Sequence, residues 1–89
     1  MNVQQSVQIR NKNGLHARPA AEMVKAAAKF KSDITISRED IEVNGKSIMG
    51  VMMLAAEYGA TITLRASGPD AEDAVDALAG LVSSRFGET

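Results

Sequence analysis

The chain has no cysteine and no tryptophan, and among its 89 residues only one histidine, one tyrosine, two phenylalanines and two prolines. Without cysteine no disulfide can staple the fold, and a lone histidine cannot assemble a structural zinc site. Stability must therefore come from packing, and neither a metal nor any other cofactor is expected. So few aromatic rings offer no platform for stacking bases. An excess of charge of either sign is also missing, since ten Lys plus Arg face eleven Asp plus Glu for a formal charge of -1 at pH 7. No basic field exists to hold nucleic acid or anionic lipid. Long apolar runs are absent too, and residues 1–10 alternate polar and apolar without a hydrophobic stretch of the signal-peptide kind. The expectation is a soluble, cytoplasmic chain that does not insert into a membrane.

What is present suits one compact domain over residues 1–89. Hydrophobic residues make up 45% and charged residues 24%, an ordinary globular balance. No repeat, low-complexity tract or linker marks a boundary. Val3, Val7 and Ile9 share a parity and lead to the turn signal Asn13-Gly14, which reads as a first strand. From about Ala17 the period becomes helical, with Ala20, Met23, Val24 and Ala27 inward and Glu22, Lys25 and Lys29 outward. Ile34 and Ile36, then Ile41 and Val43, alternate on either side of Arg38-Glu39-Asp40 and read as a hairpin ending at Asn44-Gly45. A second helix is expected from Ser47 to Ala56, and a last strand from Ala60 to Ser67 with Ile62 and Leu64 inward. Gly68-Pro69-Asp70 opens a third helix that buries Ala71, Ala74, Val75, Leu78 and Leu81 or Val82, with Asp70, Glu72 and Asp73 in its first turn and Arg85 in its last. The order β-α-β-β-α-β-α predicts an α+β two-layer open-faced sandwich: a four-stranded antiparallel sheet with three helices on one face. Such a domain has no natural deep cleft, so function is expected on its surface.

His16 lies where the first strand hands over to the first helix, between Asn13-Gly14-Leu15 and Ala17-Arg18-Pro19. Near a helix N-terminus the free amides of the first turn form an anion site, and Pro19 costs that turn no intrahelical bond. A nucleophilic ring nitrogen, orphan amides and the Arg18 guanidinium are together what a covalently held phosphoryl group needs. The same placement also suits a histidine that only ends a strand or caps a helix, and spacing does not decide between the two. Gly45-Lys46-Ser47 looks like the tail of a P-loop, but position 40, where the first glycine belongs, is Asp40, so that reading fails. Ser47 reads instead as a helix N-cap, where a phosphate would also sit comfortably. The helix that follows is too apolar for one inward stripe: with Val51, Leu54 and Ala55 inward, Ile48, Met49 and Met52 face out, either as a docking surface or as a patch for self-association. Gly50 in mid-helix suggests a close approach, which the sequence assigns to a partner backbone.

Gly14-Leu15-His16-Ala17-Arg18-Pro19-Ala20 resembles the active-site signature of the HPr family, the histidine-containing phosphocarriers of the bacterial phosphoenolpyruvate:sugar phosphotransferase system. Lys46-Ser47-Ile48-Met49-Gly50-Val51-Met52 is similar to that family's regulatory-serine motif, and the likeness runs along nearly the whole chain. The resemblance implies that Nδ1 of His16 accepts a phosphoryl group from phosphorylated enzyme I and delivers it to EIIA domains, with Arg18 supporting the phosphate. It implies a carrier between enzymes and not an enzyme. Ser47 matches the serine phosphorylated by HPr kinase/phosphorylase, and Ile48, Met49 and Met52, with Leu15 and Ala17 adjoining, match the docking surface. Met53 and Glu57 depart from the family pattern and bear on partner choice. Two other readings stand beside this one. The first is a regulatory paralogue, either a nitrogen-type carrier or a serine-phosphorylated co-effector of a transcription regulator. The second is an interaction domain whose histidine is incidental. A shuttling carrier is expected to be a monomer.

Overall fold

Alternation of apolar and polar residues yields four strands, β1 (Asn2–Gln8), β2 (Asp33–Arg38), β3 (Ile41–Asn44) and β4 (Thr61–Ser67), in a computed structural model that describes residues 1–88. Three helices intervene, α1 (Ala17–Ala27), α2 (Ile48–Met53) and α3 (Ala71–Ser83), followed by a short 3-10 turn at Arg85–Gly87. The sheet runs β1-β4-β2-β3 and every pairing is antiparallel. Its register aligns the apolar parity across the strands: Val7 faces Ile62, Val3 and Ile34 both face Ala66, and Ile36 lies between Val43 and Leu64. One face of the sheet is thereby apolar, and the helices cover it.

The helical stripes meet that face as their spacing predicts. Pro19, Ala20, Met23 and Ala27 of α1 are buried, as are Ala71, Ala74, Val75, Leu78 and Val82 of α3. Each fully buried Leu, Ile, Val or Met contributes about 1.5–3 kcal/mol relative to exposure. A polar clasp joins the layers at one edge. The Asp70 carboxylate accepts from the Ser32 hydroxyl at 2.6 Å, the Ser32 amide at 2.9 Å and the Lys31 amide at 2.8 Å. It ties the start of α3 to the strand beside it, and the Ser32 hydroxyl, followed by the Lys31 amide, lowers the Asp70 pKa to about 2.

Several expectations change. Ile9 falls outside β1, although its amide still donates to Ala60 O at 2.8 Å and its side chain is fully buried. α2 begins at Ile48 and stops at Met53 after six residues, well short of Ala56. Its C-cap is Leu54, and Ala55 turns out to solvent in a left-handed conformation (φ 48) instead of packing on the sheet. Ile41, at the hairpin edge, is exposed. Arg85 does not complete the last turn of α3, because the chain has already turned left-handed there (φ 59). Gly50 needs no partner to explain it: a Cβ there would lie 3.3 Å from the Ser47 and Val43 side chains, so the crowding is internal.

Candidate functional site

Residues 11–15 are held tightly before they reach His16. The Gly14 amide donates to Asn11 O at 3.1 Å, and the buried Asn11 side chain returns Nδ2 to Gly14 O at 2.7 Å. Gly14 adopts φ +68, and a Cβ there would collide with the Ala56 carbonyl oxygen and sit 2.9 Å from Glu57 Cα, so glycine is required. The Leu15 amide then donates to Ala56 O at 2.9 Å. Its side chain is only 5% exposed and belongs to the core, which corrects the expectation that Leu15 adjoins the docking surface. Ala17, by contrast, is exposed.

His16 is the N-cap residue of α1 by backbone geometry (φ -77, ψ -173), and its carbonyl accepts from the Ala20 amide at 3.0 Å. Its side chain makes no capping hydrogen bond, and the first turn holds no acidic residue. Pro19 has no amide to give. The amides of Ala17 and Arg18 thus lack an intrahelical partner, at the positive end of an eleven-residue helix. The bland reading of His16 as a cap therefore does not describe what its ring does.

The ring turns instead to the far end of the chain. After α3 the backbone reverses through three successive left-handed residues, Arg85 (φ 59), Phe86 (φ 54) and Gly87 (φ 73), and Phe86 buries its ring in the core. This brings Glu88 over the start of α1. Its Oε2 lies 3.0 Å from His16 Nε2 and 3.4 Å from Arg18 Nε, and its Oε1 accepts from Asn11 Nδ2 at 3.0 Å. Arg18 Nη2 donates to Phe86 O at 3.1 Å. Desolvation pushes the Glu88 carboxyl up, but the hydrogen bonds from Asn11 and His16 and the charges of His16 and Arg18 together outweigh it, so the group stays below its ordinary value. His16 and Arg18 both keep substantial exposure, with 40% and 54% of their side-chain surfaces open to solvent. The start of α1 thus carries a ring nitrogen, a guanidinium and two amides without intrahelical partners, the kinds of group that receive a tetrahedral anion.

The serine motif builds a second, separate feature. Ser47 is the N-cap of α2, and its Oγ accepts from the Gly50 amide at 3.1 Å. Val51 and Leu54 are buried beneath it, while Ile48, Met49 and Met52 are exposed as their spacing predicts. Met53 joins them, widening the apolar face. Among the described residues no cluster of His, Cys, Asp and Glu could hold a metal, and no helix is long and apolar enough to cross a membrane.

Sequence reading missed Asn11, Phe86 and Glu88. Phe86 carried a usable signal, being one of two phenylalanines and lying four residues past Val82 in line with the apolar stripe of α3. Asn11 read as ordinary turn composition, and nothing local marked Glu88.

Comparison with known proteins agrees with this geometry. The family model described as the PTS HPr component phosphorylation site matches residues 3–84. The phosphocarrier protein HPr of Cupriavidus necator is 50% identical over 86 residues, covering 97% of each chain. The HPr-like protein Crh of Bacillus subtilis is 48% identical over 80 residues, covering 90% of this chain and 94% of its own. Among solved structures, HPr-C-His from Thermoanaerobacter tengcongensis superposes with a TM-score of 0.94 at 46% identity over 98% of both chains. An HPr dimer from the same organism gives 0.79 at 49% identity over 92% of this chain and 94% of that one. The fold, the matched signature around His16 and this near-complete similarity establish that the chain belongs to the PTS HPr family.

Proposed function

We propose that this chain is a phosphocarrier that takes a phosphoryl group onto His16 Nδ1 from phosphorylated enzyme I and gives it to EIIA domains in sugar uptake. It turns over nothing alone. The observation that carries this reading is that His16 stands at the N-terminus of α1 without capping it, leaving the first-turn amides and the exposed Arg18 beside a ring whose Nε2 pairs with Glu88 while Nδ1 stays without a partner among the described residues. Attack by Nδ1 forms one N–P bond as the donor's N–P bond breaks, and Arg18 with the helix end offsets the charge of the arriving phosphate. The exposed face of Ile48, Met49 and Met52, with Ala17 near the helix start, is the surface we assign to enzyme I and the acceptors. The carrier works as a monomer in the cytoplasm, shuttling between partners.

We further infer that Ser47 is a substrate of HPr kinase/phosphorylase. A phosphate there adds charge beside the apolar face and weakens docking through desolvation and repulsion. The likeness to the HPr-like protein Crh supports a second, regulatory reading, in which the serine-phosphorylated form serves a transcription regulator. Incubation with enzyme I and phosphoenolpyruvate, followed by intact mass before and after mild acid, tests the first reading. The expected result is one acid-labile phosphoryl group that His16→Ala lacks. No gain with an active enzyme I, together with ATP-dependent labelling of Ser47, would favour the regulatory reading instead.

A further inference from the structure

The contact between His16 and Glu88 joins residues 72 positions apart and fixes something the active-site signature does not contain. An ionised carboxylate has only lone pairs to offer, so the ring nitrogen 3.0 Å from Glu88 Oε2 must carry the hydrogen of that bond. That nitrogen is Nε2. A neutral imidazole has one N–H, and if it resides on Nε2 the lone pair resides on Nδ1. Nδ1 has no hydrogen-bond partner among the described residues. We propose that Glu88 is a positioning residue which holds His16 in the Nε2–H tautomer and so presents Nδ1 as the nucleophile. The inference rests on the phosphocarrier reading for its chemical purpose, although the tautomer itself exists without any partner.

Three features make the contact a built one. Glu88 is held at Oε1 by Nδ2 of the fully buried Asn11 and at Oε2 by Arg18 Nε beside His16. These partners keep the carboxyl ionised, which the argument requires. The chain reaches this place only by taking Arg85 and Phe86 through left-handed backbone, a conformation such residues hold only when their surroundings impose it, and the buried Phe86 ring is the anchor. The side chain of Glu88 is only 17% exposed, so the bond to His16 is partly shielded from competing water.

The arrangement also balances the transfer without moving a proton. When Nδ1 bonds to phosphorus and the donor's N–P bond breaks, the ring of His16 carries phosphorus on one nitrogen and hydrogen on the other, with a formal positive charge that the Glu88 carboxylate faces. In the onward step the Nδ1–P bond breaks, its electron pair returns to Nδ1, and the ring leaves neutral with the same Nε2 proton. The carboxylate thus serves accepting and donating steps alike, as the carboxylate partner of a catalytic histidine does in hydrolases.

Nitrogen NMR of the His16 ring in the unphosphorylated chain, at about pH 9 where imidazole is neutral, reads the tautomer directly. Wild type is expected to show the Nε2–H form alone. Glu88→Ala should admit a measurable Nδ1–H population with an unchanged fold, and should lower the enzyme I turnover number for this substrate about tenfold with KM unaltered. Glu88→Gln, whose carbonyl can still accept from Nε2, should restore the tautomer while the turnover stays low for want of the charge. A Glu88→Ala ring with the wild-type tautomer population overturns the proposal whatever its kinetics. If wild type took up no phosphoryl group while the tautomer still depended on Glu88, the carrier reading would fall and the role of Glu88 in fixing the ring would stand.

Discussion

At the start of α2 the Ser47 hydroxyl accepts from the Gly50 amide at 3.1 Å, whereas at the start of α1 the His16 ring makes no such bond and pairs with Glu88 from the other end of the chain. Both residues occupy the N-cap by backbone geometry. The serine, short and hydroxyl-bearing, closes its helix end on itself, which stabilises a six-residue helix too short to persist alone. The histidine leaves its end open, and the helix it starts is anchored instead by Pro19, Ala20 and Met23 in the core. An N-terminus that packing already secures can keep its amides for an external anion. One that relies on its cap cannot do so without loss. The start of α3 is a third solution, since Asp70 spends its carboxylate on Ser32 and Lys31 and caps nothing.

The contrast between the two helix starts can be broken most directly at His16. His16→Ala is expected to abolish acid-labile phosphoryl uptake while changing unfolding free energy by no more than about 0.5 kcal/mol, as surface substitutions do. Uptake that survives this change would put the acceptor elsewhere. Ser47→Ala should keep full uptake, which makes the pair of variants a test of the contrast itself.

Next in size is the loop that delivers His16. Gly14→Ala should cost about 2–4 kcal/mol in urea unfolding, because φ +68 and the Ala56 carbonyl both oppose a side chain there. Gly59→Ala, with φ +87 and open space around it, should cost only about 1–2 kcal/mol. Equal costs would show that backbone conformation alone matters and that contact with the residue 56 region does not hold the loop. Arg18→Ala is expected to slow transfer about tenfold, equivalent to about 1.4 kcal/mol, with an unchanged melting temperature. A normal rate would remove the guanidinium from the mechanism. Ser47→Ala should cost about 1 kcal/mol of stability through the lost cap, and an unfolding curve identical to wild type would mean that α2 does not need it.

The smallest effect concerns the third helix start. Because Asp70 is held at about 2 in the folded chain, below its ordinary 3.8, it contributes stability that is complete above about pH 4 and is lost as pH falls towards 2. Glu88, also lowered, contributes in the same direction. Asp70→Asn should flatten the acid limb of a stability profile over that window, and an unchanged limb would assign acid sensitivity to other carboxylates.

Much of this was legible from residue order, for definite reasons. The parity of Ile34, Ile36, Ile62 and Leu64 and the helical spacing of Ala20, Met23 and Ala27 decide which faces are apolar, and the apolar faces leave one two-layer arrangement. His16, Arg18 and Ser47 were legible as well, since all three sit in short contiguous motifs at element starts. Other features were not. Leu15 looked like a surface neighbour of His16, yet the Leu15 amide bond to Ala56 turns its side chain into the core. Ala55 looked like an inward residue, yet α2 ends before its period reaches it. Met53 became part of the exposed face for the same reason, as the helix stops and Leu54 takes the buried position.

The sequence by itself determined the element order, the sheet's buried parity and the placing of its one histidine at the start of α1, because these depend on local propensity and on periodicities of 2 and 3.6 residues. Only the tertiary structure decided the state of that histidine. Glu88 reaches His16 through a left-handed turn and a buried phenylalanine, and a contact spanning 72 positions leaves no periodic trace in the chain. Which ring nitrogen carries the proton is set by the partner that accepts it, and that partner is brought there by packing.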